Sequence, residues 1–456
     1  MSVNLDARIA STGTRFLVFA QPRFLPSFAD PETITVSIPA GEVLAGPADG
    51  RMYVLDAPNK TPYGNRPYHG PKNPPVPPGP DGHFDHLTDY DSREFSCATM
   101  YATVRRVLDI WEDYFGRRID WQFRLDFEQL ELIPLINWDN AHSGYGFLEF
   151  GFGRTASGSI DPARPYCQNF DVLAHELGHS LIFAVVGIPP SFAVTDEYWG
   201  FHESAGDLVA LVSMLHSHKA VDHLLHASEG NLFSANELSR VGELSTNRQI
   251  RNAFNYERMS TVSSEEHDLS QPLTGAIFDI FVEVYQKALV AAGLISQDLA
   301  DRSFNSPLGS GDAETIQAEF REAYASRHTE FKNALLAARD YLGRLLAGTW
   351  STLEKNNLSY AEIALDLMRI DREIADGNNE STIRECFRWR EIALPAHTVM
   401  LQTRTLSHCG LQLRHGWDRV TETAVASRQL VTPRGPAASA PTAAAAQRGP
   451  RRVGRS

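Results

Sequence analysis

Apolar residues recur at intervals of three and four over several stretches of the chain, and this spacing predicts amphipathic helices. Runs of β-branched and aromatic residues between glycines and prolines predict strands instead. The predicted helices lie at residues 96–116, 171–186, 201–211 and 265–292, and helical periods continue from 293 to 393. The predicted strands lie at residues 14–20, 33–39, 52–56, 121–125 and 130–133. Strands are therefore expected in the first part of the chain, and the last part is expected to be mainly helical.

Local composition suggests where one structural unit ends and the next begins. Residues 59–82 are rich in proline and glycine, which is typical of a linker or wrapping loop. From residue 433 onward the chain is rich in proline, alanine and arginine, and such a segment cannot bury a core. The predicted organisation is a small β subdomain at 1–58, a linker at 59–95, a catalytic α/β domain at 96–215, a mainly helical domain at 216–393 and a largely disordered tail at 394–456.

One predicted helix, which Asp171 would cap and Gly187 would end, contains the sequence H-E-x-x-H. Its histidines are His175 and His179, which are one helical turn apart on the same face and can bind one metal ion together. Glu176 is rotated about 100° from His175, so its carboxylate can reach a water bound to that metal. The alternative is a chance match in which both histidines belong to the protein core.

A second predicted helix begins after Gly200 and carries Glu203 and Asp207 one turn apart. Catalytic zinc sites usually have three protein ligands, and two histidines with one glutamate are a common set. A ligating histidine normally donates its other ring N–H to a carboxylate. Glu203 is therefore the candidate third ligand, and Asp207 is the candidate partner of a ligating histidine.

H-E-x-x-H followed by E-x-x-x-D resembles the thermolysin-like zinc metallopeptidases of the gluzincin group. The resemblance implies an α+β fold with two domains, an N-terminal sheet with the HExxH helix and a mainly helical C-terminal domain. It also implies that His175, His179 and Glu203 hold one catalytic Zn²⁺, that Glu176 is the general base and that Asp207 orients the first histidine.

The same resemblance implies roles for residues outside the two motifs. Asn140 and Ala141 would lie on an edge strand that pairs with the substrate backbone, although their neighbours also suit a turn. His267 would donate a hydrogen bond to the oxyanion, and its alternative is an exposed loop histidine. Tyr198 is the candidate for a second oxyanion donor. The interval between the motifs is longer than is usual in the family, which predicts an enlarged loop at residues 187–199.

These assignments predict a zinc-dependent metalloendopeptidase that acts on peptide or protein substrates. Two alternatives remain open at this point. One is a non-catalytic, zinc-stabilised binding or scaffold protein derived from a peptidase. The other is a zinc hydrolase that acts on a different bond or at a chain end.

Composition excludes some partners. The 456 residues carry a net charge of −14, whereas a nucleic-acid-binding protein needs a basic face, so nucleic acid is not expected as a partner. The four cysteines form no C-x-x-C motif, which is compatible with a reducing compartment. No signal peptide and no apolar run long enough to span a membrane are recognised, so a cytoplasmic protein is expected, with non-classical secretion as the alternative.

A cluster of acidic residues and histidines follows the proline-rich segment. Its spacing matches no calcium-binding loop, and aspartates are common in turns, so a polar loop is the preferred interpretation and Ca²⁺ has no support as a cofactor. The residues are Asp81, His83, Asp85, His86, Asp89 and Asp91.

Overall fold

The computed structural model describes residues 5–394 except for residues 65, 156, 235–239, 246–247 and 306–311, and for strands β9 and β10 it describes the backbone. The helices are α1 Leu5–Ile9, α2 Arg93–Phe115, α3 Phe170–Val185, α4 Asp196–Met214, α5 His218–Ser228, α6 Glu266–Ala291, α7 Gln297–Asn305, α8 Ala313–Tyr324, α9 His328–Thr352, α10 Tyr360–Ala375 and α11 Glu380–Trp389. The strands are β1 Gly13–Val18, β2 Glu32–Pro39, β3 Met52–Val54, β4 Leu130–Ile133, β5 Ala141–Gly144, β6 Phe147–Phe150, β7 Phe152–Arg154, β8 Ile160–Pro165, β9 Arg240–Ser245 and β10 Arg248–Asn252. The predicted α+β class is confirmed. The tail predicted at 394–456 lies almost entirely outside the described residues.

Strands β3, β4, β6 and β5 form one mixed sheet in that order. Strand β4 pairs in parallel with both β3 and β6, and β5 pairs antiparallel with β6, so β5 lies at an edge. Every residue of β4 is buried, as expected for an inner strand covered on both faces. Because β3 belongs to the first 58 residues, the N-terminal segment forms part of the same sheet as the strands that precede α3.

Helix α2 connects the sheet to the helical part of the protein. The Ser92 side chain caps its start by accepting a hydrogen bond from the Phe95 amide, and Gly116 ends it in a left-handed conformation. Residues 95–111 of this helix are all buried. The Trp111 ring stacks on the Trp350 ring of α9 with centroids 4.9 Å apart, so the two parts of the chain share one apolar core.

Helix α6 is the central helix of the C-terminal part and packs against α4, α9 and α11. Thr274 of α6 donates a buried hydrogen bond of 2.9 Å to Ser204 of α4. Directly after α11, the buried Arg390 guanidinium donates to Asp279 of α6 at 2.7 Å. The first contact fixes α6 with respect to α4, which matters because the first turn of α6 reaches the candidate site.

One predicted strand is not formed. Residues 121–125 alternate aromatic and polar side chains, but the structure contains a series of turns there, with hydrogen bonds from the Arg124 amide to the Trp121 carbonyl and from the Phe127 amide to the Phe123 carbonyl. The Trp121 and Phe123 rings stack with their centroids 5.7 Å apart. The alternation therefore reflects two aromatic rings buried together, and the backbone hydrogen bonds are satisfied locally.

The proline-rich segment covers one face of the sheet. Lys60 and Glu149 of β6 form a completely buried ion pair with 2.5 Å between Nζ and Oε2, and the Tyr63 amide donates to the other carboxylate oxygen at 2.6 Å. Further along, Asn73 donates to Asp56 at 3.0 Å. These contacts place the segment predicted as a linker directly against β6 and the end of β3. No helix in the described part of the chain is both long enough and apolar enough to cross a membrane.

We expect Glu283 of α6 to make folding stability depend on pH. Burial raises the pKa of Glu283 to about 7. The positive charge of Lys287 offsets only part of this rise. The folded chain therefore holds a proton that the unfolded chain releases between pH 4.5 and about 7, so stability falls as pH rises through this window. Glu283→Gln should remove this dependence and stabilise the protein at pH 8 by about 1 to 3 kcal/mol.

Denaturant unfolding at pH 5 and pH 8 measures the effect. The matched control is Glu322→Gln, which changes an exposed glutamate of α8 and should leave the pH dependence as in the wild type. Identical pH dependence in wild type and Glu283→Gln would contradict the assignment.

Candidate metal centre

Helix α3 carries the H-E-x-x-H sequence as predicted, but its cap is not Asp171. The Asn169 side chain accepts from the Val172 amide at 3.3 Å, whereas the Asp171 carboxylate accepts from the Gln21 side chain at 3.2 Å. Both residue types suit an N-cap, and the long-range contact with Gln21 leaves the capping position to Asn169. The end of α3 agrees with the prediction, since Gly187 follows it with a φ of 87°.

Helix α4 begins earlier than predicted. The Thr195 hydroxyl caps it by accepting from the Tyr198 amide at 3.0 Å, so Gly200 lies inside the helix. A Cβ at Gly200 would lie 2.2 Å from the Tyr360 hydroxyl oxygen, which accounts for glycine at this helical position. Part of the segment predicted as an enlarged loop is therefore an additional first turn of α4.

Helices α3 and α4 approach closely at two glycines. A Cβ at Gly178 would lie 2.9 Å from the Gly206 Cα, and a Cβ at Gly206 would lie 2.7 Å from Nδ1 of His175. A side chain at position 178 would therefore meet the backbone of α4, and one at position 206 would meet the His175 ring. The close approach brings the side chains of Glu203 and Asp207 into reach of the H-E-x-x-H face.

The donor atoms of the two motifs converge at this contact. The ligand atoms of His175, Glu176 and His179 all lie within 4.8 Å of one another. Oε2 of Glu203 is 3.4 Å from Nε2 of His175, and Oε1 of Glu203 is 3.6 Å from Nε2 of His179. All four residues are at most 5% exposed. The structure thus brings together the three predicted ligands and the predicted base.

The donor set fits a zinc ion. Zinc binds histidine nitrogen and carboxylate oxygen at about 2.0–2.2 Å in a tetrahedron, so neighbouring donors lie about 3.3–3.6 Å apart. The distances from Glu203 to His175 and His179 are close to this separation and longer than ordinary charged hydrogen bonds of about 2.7–2.9 Å. Together with Asp207, the buried carboxylates of Glu176 and Glu203 also need compensating positive charge.

Each histidine has a second contact through its other ring nitrogen. Nδ1 of His175 is 2.9 Å from Oδ1 of Asp207, the residue predicted for this position. Nδ1 of His179 is 2.8 Å from Nδ1 of His202, which precedes Glu203 in α4. His202 is not among the site residues predicted from the sequence. The available signal was its position next to the predicted ligand on a helix that packs against α3.

His267 reaches the centre from the first turn of α6. Its Nε2 lies 3.5 Å from Oε2 of Glu203, and its Nδ1 lies 2.6 Å from Oε1 of Glu265. Glu265 is also the cap of α6, because its carboxylate accepts from the amides of His267 and Asp268 at 3.0 Å. One residue therefore fixes both the start of the helix and the orientation of the His267 ring.

The hydrogen bond that the structure shows for the Tyr198 hydroxyl goes to a backbone carbonyl and not to this cluster. The side chain is completely buried, and its hydroxyl donates to the Gly187 carbonyl at 2.8 Å. Tyr198 thus connects the start of α4 to the end of α3. Its role as an oxyanion donor stays a prediction.

Asn140 and Ala141 lie where an edge strand was predicted. Ala141 is the first residue of β5, and among the described residues no strand pairs with the outer edge of β5. Asn140 is buried, and its Oδ1 has no hydrogen-bond partner in the described part of the chain. The Ser143 hydroxyl of β5 lies 3.1 Å from the Ser180 hydroxyl, so this edge runs beside α3.

The acidic loop after the proline-rich segment is paired with an arginine. The Arg15 guanidinium contacts Asp85 at 2.7 Å, His83 at 2.7 Å and Asp81 at 3.5 Å. A protein cation therefore lies among the side chains that a calcium ion would need. This arrangement supports the interpretation of these residues as a polar loop.

The chain is similar in structure to the precursor of protealysin, a metalloproteinase from Serratia proteamaculans. The two share 13% sequence identity with a TM-score of 0.41, over 75% of this chain and 87% of that chain. No protein-family model matches the sequence, and none of the curated proteins matches it either. With identity and TM-score this low, the metal centre is assigned from the geometry of the chain's own residues.

We expect Gly206→Ala to weaken metal binding. The added methyl group would meet the His175 ring and push it away from Asp207. Loss of such an orienting contact typically reduces metal affinity about 10- to 100-fold. Competition with a chromophoric zinc chelator measures the affinity.

Gly50→Ala is the matched control, because a Cβ there meets nothing within 4 Å. It should bind zinc like the wild type. Unchanged zinc affinity of Gly206→Ala would show that the close approach of the two helices is not needed to hold His175.

Proposed function

We propose that the protein is a zinc-dependent metalloendopeptidase in which His175, His179 and Glu203 hold the metal. The observation that carries the proposal is the position of the Glu203 carboxylate, with one oxygen 3.4 Å from Nε2 of His175 and the other 3.6 Å from Nε2 of His179. Glu176 lies beside these donors. The resemblance of both motifs to thermolysin-like peptidases supports the same assignment.

The bound metal would act as a Lewis acid and lower the pKa of a coordinated water. Glu176 would serve as general base, since its carboxylate lies within 4.8 Å of the histidine donors and is buried beside them. In this role it takes the proton of the attacking water and passes it to the nitrogen of the leaving amine. Asp207 would hold His175 with Nδ1 protonated, which leaves Nε2 as the donor atom.

His267 is the proposed oxyanion donor. When the ring carries both protons, Nδ1–H donates to Glu265 and Nε2–H is left beside the Glu203 carboxylate. A pre-oriented donor at this place can stabilise negative charge that develops on the scissile carbonyl oxygen. Because Glu265 is held by two amides of α6, the donor is in position before substrate binds.

A peptide is the proposed substrate because β5 is the last strand of its sheet among the described residues and runs next to α3. An extended peptide can add to such an edge through main-chain hydrogen bonds. The buried Oδ1 of Asn140, which lacks a partner among the described residues, is a suitable acceptor for a substrate amide. Ala141 begins the strand and contributes its backbone.

The second candidate is a non-catalytic zinc-stabilised binding or scaffold protein. The hydrogen bond from the Tyr198 hydroxyl to the Gly187 carbonyl favours it, since this contact occupies a donor expected at the oxyanion. In that case the metal would contribute to folding stability and the peptide would be bound without cleavage.

We expect Glu176→Gln to abolish peptide cleavage while zinc binding is retained. Glutamine keeps the shape of the side chain but cannot take a proton, and loss of a general base typically costs about 10²- to 10⁴-fold in kcat. Glu203→Gln should instead lose most of the zinc. Zinc content by elemental analysis and cleavage of casein or quenched peptides measure the two effects.

Glu322→Gln, at an exposed position of α8, is the control for both variants and should resemble the wild type. If the wild type binds zinc and cleaves no peptide pool, the peptidase assignment fails and the scaffold alternative is favoured. If Glu176→Gln loses zinc and Glu203→Gln keeps it, the roles of ligand and base are assigned the wrong way round.

We expect His267→Ala to lower kcat by about 10²- to 10³-fold, because one oxyanion donor is removed. Zinc affinity should stay unchanged, since His267 is not among the proposed ligands. Steady-state kinetics on a quenched peptide give kcat and KM, and chelator competition gives the affinity. A large loss of zinc would instead assign His267 to the metal, and unchanged kcat would remove it from the mechanism.

A further inference from the structure

His202 makes an unusual contact with a proposed metal ligand. It lies in α4 directly before Glu203 and is completely buried. Its Nδ1 lies 2.8 Å from Nδ1 of His179, and the two ring planes are nearly parallel, with centroids 5.0 Å apart and 16° between the planes. The corresponding contact of the other proposed ligand is to a carboxylate, Asp207. Of the two histidines of the H-E-x-x-H motif, one is therefore hydrogen-bonded to a carboxylate and the other to an imidazole.

The short distance between two imidazole nitrogens leaves room for one proton. A neutral imidazole has one N–H donor and one acceptor nitrogen, so one Nδ1 must donate and the other must accept. If His179 offers Nε2 to a metal, its own proton is on Nδ1 and it is the donor. The Nδ1 of His202 is then the acceptor, and the His202 proton lies on Nε2.

Aromatic side chains surround the His202 ring. The Phe183 ring centroid is 4.1 Å from that of His202, and the rings of Tyr198 and Trp199 lie at 5.8 and 6.2 Å. Tyr198 is itself fixed by its hydrogen bond to the Gly187 carbonyl. These rings enclose His202.

We propose that His202 is a positioning residue that fixes the tautomer and orientation of His179 and thereby sets the metal affinity of the site. The inference rests on the proposed zinc centre and deepens it. His202 does not touch the proposed metal or substrate, and it acts only through His179. Because a neutral imidazole takes this place, the second histidine is oriented without a further buried negative charge.

Three variants separate hydrogen bonding from packing. His202→Asn keeps an acceptor oxygen near the ring of His179, whereas His202→Leu fills the space without an acceptor. Phe183→Leu is the matched control, since it removes part of the aromatic enclosure and leaves the nitrogen contact. Zinc affinity is measured by chelator competition, thermal unfolding reports folding, and ¹⁵N spectra of labelled histidine rings report which ring nitrogens carry protons.

We expect His202→Leu to bind zinc about 10- to 100-fold more weakly than the wild type. This is the usual loss when the hydrogen-bond partner of a metal-ligating histidine is removed. His202→Asn and Phe183→Leu should stay within a few-fold of the wild type. In the zinc-loaded wild type, the His202 spectrum should show an unprotonated Nδ1 and a protonated Nε2. If His202 served only to pack the core, His202→Asn would not bind zinc more tightly than His202→Leu.

Equal zinc affinity of His202→Leu and wild type would overturn the inference and leave the proposed function intact. A protonated Nδ1 on His202 in the zinc-loaded wild type would also overturn it, and this measurement does not depend on any variant folding. A wild-type protein that binds no zinc would overturn the proposed function first, so the two failures are distinguishable.

Discussion

The close approach of α3 and α4 is the constraint on which the candidate centre depends. Gly178 and Gly206 face each other, and a larger residue would press on the backbone of α4 at the first position and on the His175 ring at the second. At this separation, the two Glu203 carboxylate oxygens lie 3.4 and 3.6 Å from Nε2 of His175 and of His179. Asp207 lies within hydrogen-bond distance of His175. Displacement of α4 by the thickness of one methyl group would affect all of these contacts together. Helix packing and the geometry of the candidate centre therefore depend on the same two positions.

Helix α4 supplies most of the polar groups around the two histidines of α3. Glu203, Asp207 and His202 are all on this helix and all buried. Since they belong to one rigid element, they are positioned together when α4 docks on α3. Helix α6 is then aligned by the hydrogen bond between Thr274 and Ser204, and this alignment brings His267 to the same centre. The site is thus assembled by docking three helices, with few contributions from loops.

The sheet edge beside α3 is held from both faces. On one face the Ser143 hydroxyl of β5 contacts Ser180 of α3. On the other face Nδ1 of His142 lies 3.3 Å from the Glu149 carboxylate, which also pairs with the buried Lys60. A buried ion pair contributes little net stability but is costly to break, so it resists displacement of this edge. A fixed edge is suited to binding an extended chain in one register.

Local sequence patterns predict α2, the helix with the H-E-x-x-H motif, the one-turn spacing of Glu203 and Asp207, and strands β1 to β4. These features depend on the local spacing of apolar residues and on residues one helical turn apart, and both can be read from a short stretch of sequence. The tertiary structure alone decided that Asn169 caps α3, that α4 begins at Asp196 and that residues 121–125 form turns. It also decided that Tyr198 donates to Gly187 and that His202 contacts His179. In each of these cases a polar or aromatic side chain had several chemically suitable partners. The choice was made by packing against residues distant in the sequence, which local patterns do not record.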